Sequence, residues 1–356
     1  MRVWMWALIL TAAAGGLFSA LQVPSGWLIA ALVSAGGVAL MTGRQLAPAR
    51  VVLRPAQGCV GLLATAPLAA EAAPTMANYL GVSAVCSGAT LIICLLCTLV
   101  LVRVAKTLSP ATALLSTLAG GASGISTMAP DLPVNHRYVA LSQYLRLVVV
   151  TMTLPVVVQL AGAAPTVAPG GAVSVLTSAA AAAVICGAGY AAVKLRWPAP
   201  FLLGPMLVGL PIAFATHDHF ALGLPPAVNV AAYVVIGWQA GGSFTRGAIR
   251  RFVRLMPLTC TFIAVTIGGC LGLALLVSSW TGLSFSQAYL ATTPGGIYAV
   301  LATAADSGAG PIVVTMQVFR LLVMYLVAVI GTKLLTAGKD SATRRLAVGS
   351  SRVFAA

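Results

Sequence analysis

The chain has 356 residues, 60% of them hydrophobic and only 7% charged, with a mean hydropathy of +1.02. That balance excludes a soluble globular domain, where about a quarter of residues are charged, and makes the bilayer the solvent against which the chain folds. A formal charge of +15, from 20 Lys+Arg against 5 Asp+Glu, would suggest nucleic acid on a soluble chain. Here the basic residues sit in short loops between apolar runs, the pattern of cytoplasmic loops facing anionic lipid headgroups.

In chain order, the apolar run from Met1-Arg2 to Leu21 admits a signal-peptide reading, because Ala12-Ala13-Ala14 is cleavage-like. The internal repeat described below needs this segment as its first helix. Runs long enough to cross about 30 Å of hydrocarbon follow at Trp4–Leu21, Trp27–Met41, Val51–Leu68, Val82–Val104 and Tyr138–Leu160. A Pro/Gly-rich linker, Ala161–Gly171, separates them from a second set at Val173–Val193, Phe201–Ala215, Val228–Phe244, Leu258–Trp280 and Ile312–Leu335. Between the fourth and fifth run of each set lies a small-residue stretch, Ser109–Met128 and Ser284–Ala304, interrupted by a glycine pair. Each stretch predicts a hairpin. Broken backbone at membrane depth is tolerated only where protein buries it or it lines a watery cavity, and transporters bind their solutes at such places.

The two sets superpose at a nearly fixed offset. Pro24 and Trp27 face Pro198 and Phe201, and Gln143 and Arg146 face Gln317 and Arg320, all 174 residues apart. Gly120-Gly121 faces Gly295-Gly296 and Asp131 faces Asp306, at 175. Matched apolar residues mean little in such a chain, but matched Asp, Gln and Arg indicate duplication. The expected architecture is all-α, integral to the membrane, with about ten transmembrane helices in two repeats (1–163 and 164–337) and a basic cytoplasmic tail (338–356). Arg44, Arg50, Arg54, Arg103 and Lys106 in the first half, and Lys194, Arg196 and Arg246–Arg254 in the second, fall on one side. That alternation works with both termini cytoplasmic and both hairpins re-entrant, and an odd number of crossings per repeat inverts the second copy.

The candidate binding residues follow from this frame. Glycine pairs let backbone approach a ligand closely, and the arm after each break starts with unpaired N–H groups that suit an anion. This places Gly120, Gly121 and Ser123 of the first hairpin and Thr293, Pro294, Gly295 and Gly296 of the second at the site. Gln143 and Arg146, like Gln317 and Arg320, lie one helical turn apart on a shared face, and arginine at depth usually turns to the bundle interior or a polar cavity. Asp131 and Asp306 are candidate coupling residues or ion-pair partners for the arginines. Solvated caps, snorkelling and close helix packing are the structural alternatives for these positions.

Metal and cofactor chemistry is not expected. Six of the seven cysteines (Cys86, Cys94, Cys97, Cys186, Cys260 and Cys270) lie inside apolar stretches as small packing residues, and Cys94-x-x-Cys97 has no second ligand pair. His217-Asp218-His219 is a lone loop cluster.

The duplicated unit resembles the AbrB-duplication membrane protein family of bacteria over nearly the whole chain. Its most specific element is Leu290-Ala-Thr-Thr-Pro-Gly-Gly-Ile297, followed by Asp306 and Gln317-Val-Phe-Arg320. Family members carry labels of ammonia monooxygenase or membrane regulator. The resemblance also implies an acidic residue three places after each glycine pair, where this chain has Gly124 and Ala299, so a coupling role for those carboxylates does not carry over. Copper-dependent ammonia oxidation requires clustered ligands, which three histidines, two of them in one short loop, do not supply. The paired glycine-rich hairpins look like those of sodium-coupled glutamate and citrate carriers, an analogy of architecture only.

These observations together predict a secondary transporter of a small anionic solute in a bacterial inner membrane, and no enzyme. A membrane-embedded regulator acting indirectly on gene expression is the alternative. The partners expected are the solute and anionic lipid, without nucleic acid, and a homodimer is left open.

Overall fold

The computed structural model describes residues 2–65, 68, 73–129, 132–161, 174–197, 199–216 and 224–353. Asp131, the Glu71 loop, His217-Asp218-His219, most of the linker after Ala161 and the side chain of Ser123 lie outside the described parts. Every described element is helical. In order they are α1 (Arg2–Ala20), α2 (Gly26–Thr42), α3 (Arg50–Leu63), α4 (Ala73–Val104), α5 (Pro110–Thr117), α6 (Ala122–Met128) and α7 (His136–Leu160). A similar series follows: α8 (Val175–Lys194), α9 (Pro200–Thr216), α10 (Pro226–Gly241), α11 (Arg246–Arg251), a 3-10 turn over Val253–Leu255, α12 (Met256–Thr281), α13 (Phe285–Thr292), α14 (Ile297–Asp306) and α15 (Pro311–Val353). Residues 338–353, expected as a tail, continue α15.

Burial is inverted relative to a water-soluble protein. Leu8, Leu96, Leu276 and Leu326 are each more than half exposed, while Gln143, Arg146, Gln317 and Arg320 are buried. Such a surface is stable against lipid and not against water. Six helices among the described residues are long and apolar enough to span a bilayer: α1, α4, α7, α8, α12 and the Pro311–Leu335 part of α15. The other four predicted spans coincide with shorter helices, α2 and α9 of 17 residues, α10 of 16 and α3 of 14. At about 1.5 Å per residue these cover roughly 21–26 Å, less than the hydrocarbon thickness of about 30 Å.

Glycine explains how the short helices pack. α2 lies on α10, and α3 on α9. A Cβ at Gly61 of α3 would stand 2.5 Å from the Leu202 carbonyl oxygen of α9, and Cβ atoms at Gly237 and Gly241 of α10 would fall on the carbonyls of Leu28 and Leu32 in α2. Backbone thus meets backbone, as in small-residue membrane interfaces. Leu28 and Leu202 are themselves 174 residues apart, so the two contacts correspond. Other contacts also fall in matching pairs: α1 with α2 and α8 with α9, α4 with α5 and α12 with α13, α5 with α7 and α13 with α15. Five cysteines are buried as expected of packing residues, whereas Cys186 and Cys260 are exposed.

Side-to-side hydrogen bonds define the two ends of the bundle. At one end the Leu46 N–H donates to the Gly242 carbonyl at 2.9 Å, which brings the Arg44–Arg50 loop beside the Arg246–Arg254 segment. Tyr138, at the start of α7, meets Thr259 of α12 at 2.9 Å between hydroxyl oxygens, and the Asn135 N–H donates to Thr112 Oγ1 of α5 at 3.0 Å. α5 therefore starts, and α7 resumes, at this arginine-rich end. At the opposite end Asp306, closing α14, meets Ser25 at the start of α2, and Gly310 lies beside Gln287 of α13.

Candidate functional site

Each break is built by local chemistry. Ser109 and Ser284, at matched positions, cap the first arms: their Oγ atoms accept from the N–H groups of Thr112 at 3.2 Å and Gln287 at 3.3 Å. Thr293 precedes Pro294, which disfavours helical backbone, and it is extended at φ −57°, ψ 133°. Leu118 adopts nearly the same conformation, φ −57°, ψ 127°, with no proline after it. The chain then passes through Gly121 and Gly296, both left-handed (φ 52° and 59°), a conformation costly for any residue with a Cβ.

The first arm of each pair ends inside the protein, leaving four carbonyls without intrahelical partners. Side chains of α7 take all four in the first half. Ser142 Oγ donates to Ser116 O at 2.8 Å; Gln143 Nε2 donates to Leu115 O at 2.5 Å and Leu118 O at 3.1 Å. Arg146 Nη1 donates to Thr117 O at 3.2 Å and Leu118 O at 2.7 Å, and its Nη2 to Gln143 Oε1 at 2.6 Å. α15 does the same for α13. Gln317 Nε2 donates to Leu290 O at 2.6 Å and to Ala291 O and Thr293 O at 3.4 Å, Arg320 Nη1 donates to Thr292 O at 2.8 Å, and Nη2 to Gln317 Oε1. The guanidiniums thus sit at the negative ends of two helix dipoles, with charge-assisted bonds to main-chain oxygen. Sequence reading places each pair on a shared face and offers the arginines to a ligand; in the structure all four side chains are buried, and each guanidinium donates to main chain and glutamine.

Each break rests on the arginine helix of the other half. A Cβ at Gly121 would stand 2.7 Å from Leu321 Cδ1 of α15, and one at Gly296 would overlap Leu147 Cδ1 of α7; Gly120 abuts Met324, and Gly295 faces Arg146 Nε. Leu147 and Leu321 each follow their arginine by one residue. The glycine pairs therefore serve close packing as well as the left-handed backbone of each break.

Three buried polar atoms around the second break have no hydrogen-bond partner: Arg146 Nε, Thr151 Oγ1 and Thr293 Oγ1. A Cβ placed on Gly295 would lie 3.3 Å from Arg146 Nε, and one on Gly296 would lie 3.7 Å from Thr151 Oγ1. Buried polar atoms are rarely left unpaired; three such atoms lie around the second break, against Ser126 Oγ alone in the arm after the first. A cavity of about 20 Å³ lies here, lined by Gly121, Tyr144, Thr151, Gly296 and Ala299 among others. A second of about 10 Å³ reaches Gly120, Gly295, Gln317 and Arg320. Each has room for about one water.

Of the five carboxylates only Asp306 has a described side chain, and no arginine is among its hydrogen-bond partners. Its Oδ2 accepts from the Ser25 N–H at 2.8 Å and from Ser25 Oγ at 3.4 Å, and its Oδ1 from the Tyr233 hydroxyl at 3.4 Å. Ser25, itself left-handed at φ 53°, also meets Thr303 at 3.1 Å. Asp306→Ala would leave the Ser25 N–H unpaired and is expected to cost about 1–3 kcal/mol, read as a lower melting temperature in detergent. Asp306→Asn, which keeps an acceptor, should recover most of it. No group of three or more His, Cys, Asp or Glu suited to a metal occurs among the described residues.

Comparison with known proteins finds similarity along nearly the whole chain. The chain is 26% identical over 350 residues, 90% of both chains, to "Uncharacterized protein YhjN" of Bacillus subtilis (strain 168). It is 31% identical over 211 residues to "Putative regulator AbrB" of Escherichia coli (strain K12), a match spanning 57% of this chain and 59% of that relative's length. No solved structure matches. The family model described as "Transition state regulatory protein AbrB" matches residues 4–336, from α1 through the apolar part of α15, and the chain belongs to the AbrB family.

Proposed function

We propose that the protein is a secondary transporter of a small anionic solute, held at the second break. The observation that carries this is the cluster of three unpartnered buried polar atoms around Thr293–Gly296. Arg146 Nε–H can only donate and the two hydroxyls can donate, so the complementary ligand is rich in acceptors. A carboxylate meets that requirement with charge-assisted bonds. In this reading both broken pairs are re-entrant, returning to the end they left. The neighbours Asn135–Thr112 and Gly310–Gln287 support that. The pairs come in from opposite ends, as two inverted repeats require, and inverted repeats with broken helices at their interface are a transporter architecture. The arginine-rich end is the cytoplasmic face of a bacterial inner membrane, with both termini on that side and the loop arginines against anionic headgroups. The reading involves no catalytic step and no cofactor.

The test is uptake by purified protein in liposomes, with labelled organic acids and amino acids under a pH or sodium gradient. Accumulation of an anionic solute is expected. Thr293→Val, which removes one hydroxyl and keeps the shape, is expected to cut it about tenfold, the loss of one good hydrogen bond, with little change in melting temperature. Full uptake in Thr293→Val would place the site elsewhere. The name of the Escherichia coli relative favours a second reading, a membrane-embedded regulator. No uptake across the panel, together with a stable cytoplasmic partner in pull-downs, would establish it instead.

A further inference from the structure

A cavity of about 380 Å³ opens at the arginine-rich end of the bundle, lined by Gln45, Arg137, Tyr144, Ser243 and Thr245 among others. Tyr144 also lines the inner cavity at the breaks, so one side chain borders both spaces. Across from it, at the end of α10 and just beyond, Gln239 lines the inner cavity and Ser243 the outer one. The inner cavity in turn shares Gly121 and Ile297 with the small space at Gln317 and Arg320. Three neighbouring spaces that share lining residues thus lie between the basic end and both arginine helices, and Tyr144 separates the outer two. At the opposite end the Asp306–Ser25–Tyr233 bonds tie α14 to α2 and α10, and Leu28 and Ile236 lie between that network and the breaks.

The duplication does not reproduce this arrangement. The residue matching Tyr144 is Val318, which has neither the ring nor the hydroxyl. The two ends of the bundle are therefore built differently around one central site.

We propose that the cavity at Arg137 is the port through which anions reach the second break, and that the Tyr144 ring is the gate that closes it. The exposed Arg137 guanidinium concentrates anions at the mouth. Rotation of one aromatic side chain is a small enough change to open the way without unpacking helices. The proposal rests on reading the second break as a solute site. Its test measures access alone, so a failure of uptake and a failure of the gate are separate results.

Ala299, buried in the inner cavity, is changed to cysteine as a reporter in the purified full chain in nanodiscs. The probe is the anionic thiol reagent sulfonatoethyl methanethiosulfonate, and peptide mass spectrometry separates residue 299 from the native cysteines. Adding Tyr144→Ala is expected to raise the reaction rate at residue 299 at least about tenfold, as removing the ring between a 380 Å³ cavity and a one-water space should. If the alanine variant does not fold, Tyr144→Leu replaces it. Ala35→Cys, buried in α2 away from these spaces, should not speed up. In the wild-type gate, the anionic reagent should outpace its ammonium counterpart severalfold, and Arg137→Gln should remove that preference. An unchanged rate at residue 299, or an equal rise at residue 35, overturns the gate; equal rates for the two reagents overturn the anion port. Acceleration by Asp306→Asn but not by Tyr144→Ala would put the port at the opposite end.

Discussion

Arg320→Leu is expected to be among the most damaging single substitutions in the protein, lowering stability by about 3–5 kcal/mol. The leucine would leave Thr292 O and Gln317 Oε1 without their donor, buried where neither water nor lipid headgroups can replace it. Arg146→Leu should act alike on Thr117 O, Leu118 O and Gln143 Oε1. Lysine at either position restores charge but not the two-pronged geometry, so about half the loss should remain. The measurement is thermal unfolding in detergent, completed by a double-mutant cycle with Gln317→Leu. Because both residues serve the same arm, the double variant should lose clearly less than the sum of the singles. Arg320→Leu at wild-type stability would show that the guanidinium is not the cap that its hydrogen bonds describe.

Gly241→Ala should rival it through a single methyl group. The added Cβ would fall on the Leu32 carbonyl oxygen of α2, and backbone cannot turn aside as a side chain can. α2 and α10 must separate, exposing the interface that orders the centre of the bundle, at a cost of about 3 kcal/mol. Gly37→Ala is the control, because nothing lies within 4 Å of its Cβ position. There the gain in helix propensity, up to about 1 kcal/mol, should leave the protein as stable or more so. Equal melting temperatures for the two variants would mean that the α2–α10 contact is looser than described.

The helices and their breaks were legible because glycine pairs, proline and charged loops are written in side-chain identity. The three-residue spacing of Gln143 with Arg146, and of Gln317 with Arg320, likewise put each pair on a shared face. Their partners were not legible, because the carbonyls of Leu115–Leu118 and Leu290–Thr293 are backbone atoms that every residue has. Only the three-dimensional end of a buried helix reveals that they need donors. Asp306 illustrates the other limit: its partner Ser25 lies 281 residues away, and nothing in either segment announces the other. The shortness of four of the helices, 14 to 17 residues, was not legible, because hydropathy measures apolarity and not where a helix stops. Tyr144 carried no signal at all, since one aromatic in an apolar helix is unremarkable until two cavities are found to share it.

The mutual seating of the two breaks has a consequence for how such a chain came to be. Gly121 rests on Leu321 and Gly296 on Leu147, so one surface, made of a glycine break and the residue after an arginine, is complementary to its own counterpart. That is the defining property of an isologous dimer contact. Two separate half-length chains, each with one broken pair and one arginine helix, would make the same two contacts between molecules that this protein makes within one. Under the proposed duplication, fusion would raise the effective concentration of each half for the other without inventing an interface, and would free the copies to diverge, as Tyr144 and Val318 do.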